Sequence, residues 1–252
     1  MIEIKNVHRS FDGNQVLDGV NLTINTGETT VIIGRSGCGK SVLLKHIIGL
    51  LKPDSGQILV NGKDVTKMDD KELSALRMKF GMLFQGAALF DSLNIFENVA
   101  FSMIEHTTTD RETMRKRVKE CLALVGLKGI EAKKPAELSG GMRKRVGLAR
   151  AIARWPQIML YDEPTTGVDP IMGDAINDLI VDLHNKLKVT SIAVTHDMTS
   201  AYKIADRIAM LYKGKIIVVG TPEEIKNTKD PVVKQFITGA SKGPITEGMD
   251  FD

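Results

Sequence analysis

Gly34-Arg35-Ser36-Gly37-Cys38-Gly39-Lys40-Ser41 places two glycines around four residues and follows them with Lys and Ser, a phosphate-binding pattern. An apolar run, Thr30-Val31-Ile32-Ile33, precedes it, and a helical pattern, Val42-Leu43-Leu44-Lys45-His46-Ile47-Ile48, follows. A glycine-rich loop between a strand and a helix turns its N–H groups inward around an anion, and the helix N-terminus adds partial positive charge. Lys40 is then placed to reach the outer phosphates and Ser41 to offer a hydroxyl to magnesium. The plainer alternative is a connecting turn, which has no need of Gly37, Gly39, Lys40 and Ser41 at this spacing. The stretch is therefore expected to bind a nucleoside triphosphate.

The remaining composition narrows what that binding serves. A chain of 252 residues with 42% apolar content is long enough for one large domain or two modest ones. The net charge of +3, from 34 basic and 31 acidic residues, gives no support to nucleic-acid binding. Cys38 and Cys121 are few and unpatterned, which points away from a structural disulfide and toward a reducing compartment. The first residues, Met1-Ile2-Glu3-Ile4-Lys5, do not read as a secretory signal, and no apolar run approaches the roughly 20 residues that span a bilayer. A cytoplasmic chain is expected, with any membrane role supplied through a partner.

Around the loop, strand and helix patterns alternate. Residues 2–7 and Val20-Asn21-Leu22-Thr23-Ile24 read as short strands of an antiparallel sheet, joined by the Asp12-Gly13-Asn14 turn, with Ile2, Ile4 and Asn6 on one face and Glu3, Lys5 and Val7 on the other. Phe11 precedes that turn, where it is either a core residue or a stacking surface for a base. Pro53-Asp54-Ser55-Gly56 marks a turn, Gln57 to Gly62 a hairpin, residues 70–79 a short helix and Phe80-Gly81-Met82-Leu83-Phe84 a buried strand ending at Gln85. The helical period then dominates from about Asn94 to Trp155. This predicts a helical subdomain, about 86–156, inserted into the nucleotide-binding core. Strand grammar resumes with Ile158-Met159-Leu160-Tyr161; the helical face of Ile176, Leu179, Ile180 and Leu183 and the strand Val189 to Val194 then give strand, helix, strand and a parallel sheet. Arg207 to Leu211 and Lys215 to Val219 read as a hairpin, residues 222–238 as helical, and 239–252 as a flexible tail after an ordered domain of 1–238.

Several residues fall where this architecture collects ligands. Asp162 and Glu163 close an apolar strand at the edge where open α/β sheets bind. They are either a solvated acidic pair or, beside a phosphate loop, a magnesium holder (Asp162) and a carboxylate that polarises water toward the γ-phosphate (Glu163). His196 also follows a buried strand, as a structural residue or as a γ-phosphate sensor. Gln85 ends a further strand, where its amide can reach magnesium or the attacking water. Ser139-Gly140-Gly141-Met142 opens another helix; an ordinary cap needs no paired glycines, and the exposed N–H groups offer a second anion site. Because that site lies on the helical insert, two chains packed head to tail are expected to cap each other's nucleotide.

Over residues 1–238 this set resembles the ATPase subunit of ABC transporters. In that likeness Gly34 to Ser41 looks like Walker A, Gln85 the Q-loop, Leu138 to Met142 the signature, Ile158 to Asp162 Walker B, Glu163 the catalytic carboxylate, Gly167-Val168-Asp169 the D-loop and His196 the switch histidine. The resemblance implies an α/β fold: a P-loop NTPase core with a mixed, largely parallel sheet, an N-terminal antiparallel β subdomain and the helical insert. It also implies ATP and Mg2+, adenine stacked on Phe11, Asp169 at the nucleotide, and a head-to-tail ATP-sandwich dimer docked on an integral membrane permease at the cytoplasmic face of the inner membrane. Met142 departs from the family's usual Gln. With Met82 to Ala100 and Asp162 to Ile171, it is similar to the Mla/Mce-type phospholipid transport ATPases, which implies a STAS-domain subunit and an Mce-domain protein as further partners. An importer ATPase for amino acids or other polar solutes is the alternative within the family, and a non-transport ABC protein the alternative outside transport.

Overall fold

The computed structural model describes residues 1–106 and 109–247. The strands form two sheets. The first is antiparallel, built from β1 (Ile2–Phe11), β2 (Asn14–Ile24), β4 (Ser55–Val60) and β5 (Lys63–Asp64) in the order β2-β1-β4-β5. The second has six strands, β3 (Thr29–Ile33), β6 (Phe80–Leu83), β7 (Ile158–Asp162), β8 (Thr190–Thr195), β9 (Arg207–Tyr212) and β10 (Lys215–Gly220), in the order β10-β9-β3-β8-β7-β6. Within this sheet β10 runs antiparallel to β9, and β9-β3, β3-β8, β8-β7 and β7-β6 pair in parallel.

The helices are α1 (Lys40–Ile47), α2 (Asp70–Arg77), α3 (Ile95–His106), α4 (Arg111–Leu124), α5 (Gly140–Ile152), α6 (Pro170–Leu187), α7 (Met198–Ile204), α8 (Pro222–Lys226) and α9 (Pro231–Thr238). The helical insert comprises α3, α4 and α5, which pack on one another. Apolar runs on the central strands are explained by burial on both faces. Val31, Ile33, Met159, Tyr161, Ala193 and Met210 face a core shared with α3–α7. Their alternating neighbours Ile32, Leu160, Ile192, Val194 and Leu211 face a second core shared with α1 and the antiparallel sheet.

Register then fixes where the site lies. Ile33 pairs with Thr195, Asp162 with Val194 and Leu83 with Tyr161, so β3, β6, β7 and β8 end at one edge. The residues just past those ends are Gly34, Gln85, Glu163 and His196.

Three local expectations are corrected. Val7 shares the core with Ile2 and Ile4 instead of facing away, because register shifts between Ile4 and Val7 and Asn6 adopts φ 49°. The 222–238 segment is two helices, with Asp230 capping the second through Val232 N and Val233 N. The expected tail folds back from 239 to 247: Gln235 Nε2 donates to Ala240 O (3.1 Å) and Thr246 Oγ1 (3.0 Å), Ile245 N donates to Gln235 Oε1 (2.7 Å), and Ile245 is buried. Residues 248–252 of that tail lie outside the described residues.

Candidate functional site

Helices α2 and α4 to α9 each begin on an Asp, Ser or Thr whose side chain accepts from the first turn. Helix α1 begins on Gly39 at φ 102° with no side-chain cap, which leaves its first N–H groups for a ligand. Gly39 is required twice over: the backbone is left-handed, and a Cβ there would lie 2.8 Å from Val16 Cγ1. An anion is thereby offered a backbone cradle. The loop closes a cavity of about 300 Å³ lined by Val16, Ser36, Gly37, Lys40, Ser41, Gln85, Glu163 and His196 among others.

Glu163 is where the strand ends converge. Its buried carboxylate lies 3.4 Å from Lys40 Nζ through Oε1 and 2.9 Å from His196 Nδ1 through Oε2, and Thr166 Oγ1 donates to Oε2 across 3.2 Å. Lys40 is itself buried, donating to Gly34 O (2.8 Å) and Arg35 O (3.0 Å). A carboxylate braced by a loop lysine and a half-exposed histidine can accept a proton from water at the cavity mouth.

Beside it Ser41 Oγ donates to Asp162 Oδ1 across 2.7 Å. This pair presents hard oxygen donors without sulfur or imidazole, and such a set fits a magnesium ion that takes its other ligands from water and phosphate. No group of three or more His, Cys, Asp or Glu able to hold a metal gathers among the described residues, so a dedicated all-protein cage is not formed there. Gln85, the third expected metal residue, is exposed and lines the same cavity. Burial pushes the Cys38 thiol up despite the Lys40 ammonium, so it sits in the loop as a neutral small side chain.

Other expected residues stand apart. Phe11 lies under the Arg9 guanidinium, 4.6 Å from its ring centroid, and is not among the cavity's lining residues; Val16, which the sequence reading passed over, lines it instead. Asp169 caps α6 by accepting from Met172 N (3.0 Å) and lines a separate cavity of about 460 Å³, which His196 also borders. Ser139 caps α5 through Met142 N (3.3 Å), and neither it nor Gly140, Gly141 or Met142 lines the phosphate-loop cavity. Gly141 packs against Met172, where a Cβ would meet Cγ at 2.5 Å.

Sequence reasoning also missed Lys144, whose buried Nζ donates to Gln85 O and to Glu163 O (3.2 Å). Burial lowers its pKa, while Asp162 and Glu163 pull the other way. A lysine three residues after Gly141 and four before Leu148, on the buried face of an amphipathic helix, is the signal that could have found it.

The ABC transporter family model matches residues 17–166. An intermembrane phospholipid transport system ATP-binding protein, MlaF of Haemophilus influenzae, is 42% identical over 245 residues, covering 97% of this chain and 93% of that protein. A probable ribonucleotide transport ATP-binding protein, mkl of Mycobacterium tuberculosis, is 44% identical over 244 residues, covering 97% of this chain and 68% of that one. A solved ATP-binding cassette, a dimer in a post-hydrolysis state bound to ADP and Pi, superposes with a TM-score of 0.81 at 35% identity, covering 88% of this chain and 99% of its own.

Proposed function

The chain belongs to the ABC transporter family, as an ATP-binding and ATP-hydrolysing subunit, and from that premise we propose that it drives a complex moving phospholipid between bacterial membranes. The observation that carries the catalytic part is the convergence of Lys40, His196 and Thr166 on the Glu163 carboxylate at the mouth of the phosphate loop.

In this reading residues 1–238 are one ABC ATPase domain with the helical subdomain, about 86–156, set into it. The loop N–H groups of Gly34 to Ser41 and the Lys40 ammonium hold the triphosphate. Ser41 and Asp162, with Gln85 nearby, hold Mg2+, which when bound neutralises phosphate charge. Glu163 takes a proton from the attacking water, and His196 keeps that carboxylate oriented and senses the γ-phosphate. Phosphoryl transfer needs little covalent help, so placing these groups supplies most of the rate. Ser139, Gly140, Gly141 and Met142 meet the nucleotide of a second copy, since they lie away from the chain's own loop, and Asp169 sits at the seam between the copies. Phe11 is the candidate platform for adenine, with Val16 beside the phosphates.

Among the described residues no helix is long and apolar enough to cross a membrane. Membrane attachment is therefore assigned to an integral permease at the cytoplasmic face of the inner membrane, with an Mce-domain protein and a STAS-domain subunit as further partners. The MlaF-type relative supports the lipid cargo, matched over nearly its whole length. The mkl relative, named for ribonucleotide transport, favours a second reading, an importer of polar solutes.

Purification from detergent-solubilised membranes separates the two. Co-purifying phospholipid and an Mce-domain protein is the expected outcome; a polar-solute binding protein in their place would overturn the lipid assignment.

A further inference from the structure

Helix α5 reaches the site from its side as well as from its N-terminus. Lys144 Nζ donates to the main-chain carbonyls of Gln85 and Glu163, the residues that follow β6 and β7 at their ligand-bearing ends. Further along the same helix, Arg150 donates from Nη2 to Ala87 O and from Nη1 to Ala88 O, each at 2.6 Å. Between them Gly147 leaves room for the Ala87 methyl, since a Cβ on Gly147 would stand 3.2 Å from Ala87 Cβ and 2.8 Å from Leu83 Cδ1.

These contacts meet backbone in an uncommon conformation. Glu163 adopts φ 47°, and Ala87 and Ala88 adopt φ 61° and 48°, the left-handed region that residues with a Cβ rarely occupy. Such conformations persist only where the surroundings over-determine them. The Glu163 N–H is tied to Val194 O across 3.0 Å and its carbonyl to Lys144, so both ends of its peptide geometry are fixed.

We propose that Lys144 is a positioning residue for ATP hydrolysis, aligning the Glu163 and Gln85 main chains from the helix whose N-terminus carries Ser139 and Gly140. It touches no residue of the phosphate loop through its side-chain hydrogen bonds, and it does not line the loop's cavity. Nucleotide binding and the chemical step therefore depend on it unequally. Movement of α5 relative to the sheet would displace the Glu163 carboxylate and the Gln85 segment together.

The proposal rests on the assignment of Glu163 as the hydrolytic carboxylate. The test compares steady-state ATPase kinetics and thermal melting of the full chain as wild type, Lys144→Met and Lys144→Gln. Lys144→Met keeps length and apolar bulk but no donor, and is expected to lower kcat by roughly tenfold or more while KM for ATP stays within about twofold. Lys144→Gln, which retains an N–H donor, is expected to recover most of kcat. A folded Lys144→Met protein with wild-type kcat overturns the proposal, as does a Gln variant no faster than the Met one. A Lys144→Met chain that fails to fold, or loses rate only in step with its folded fraction, makes the residue structural and also overturns it. A wild-type chain without ATPase activity would sink the Glu163 assignment itself, and this proposal with it.

Discussion

His196 Nδ1 lies 2.9 Å from Glu163 Oε2, joining the ends of β8 and β7 at the mouth of the phosphate loop. The same oxygen accepts from Thr166 Oγ1, while Oε1 faces Lys40. Loss of the imidazole leaves Oε2 accepting from the Thr166 and Thr195 hydroxyls (3.2 and 3.4 Å) but removes its nearest partner at the cavity mouth. His196→Ala is expected to lower kcat by roughly a hundredfold with a smaller change in KM for ATP, read by steady-state phosphate release. A raised KM with kcat unchanged would move His196 from the chemical step to binding.

Ser41 and Asp162 share a 2.7 Å hydrogen bond beside that carboxylate. If they hold the metal, Ser41→Ala raises the Mg2+ concentration for half-maximal ATPase by on the order of tenfold and leaves the melting temperature near wild type. An unchanged magnesium titration would remove Ser41 from the metal shell.

Gly39 combines φ 102° with contact to Val16. Gly39→Ala meets both a strained backbone and a side chain with little room to retreat. A destabilisation of about 1–3 kcal/mol is expected, with loss of nucleotide binding, measured by urea unfolding and by fluorescent-nucleotide titration.

His46 supplies a pH test away from the site. It is buried, its Nδ1 bonds Val42 O at 2.7 Å, and burial holds its pKa below 6.5. The unfolded chain therefore binds a proton before the folded one does, so stability falls as pH drops through about 6.5 toward the lower folded value. Urea midpoints at pH 7.5 and about pH 5 should separate less in His46→Leu than in wild type; equal separation would show that this histidine carries none of the acid sensitivity.

Much of this was legible in the residues because the chemistry was local. The Gly34 to Ser41 pattern, the apolar strand ending in Asp162 and Glu163, and His196 after Thr195 are each local in the sequence, and the sheet register brings Ser36 to Ser41, Glu163 and His196 to one cavity. What was not legible depends on distant backbone. Val7 turns inward because of a bulge at Asn6, and alternation alone cannot register an extra residue. The helical period can place Lys144 on a buried face, but it does not say that Lys144 and Arg150 donate to the main-chain carbonyls of distant loops. Residues 239–247 look like a polar tail until Gln235, one turn back, supplies both a donor and an acceptor to fasten them.

In the proposed mechanism Glu163 activates the water that attacks ATP, in a site completed by Ser139 to Met142 of a second copy. The most direct measurement is the light-scattering mass of Glu163→Gln with and without Mg-ATP. The mass is expected to double with Mg-ATP and to return to that of one chain when ADP replaces it; a variant that stays a single chain in saturating Mg-ATP would rule out the shared site.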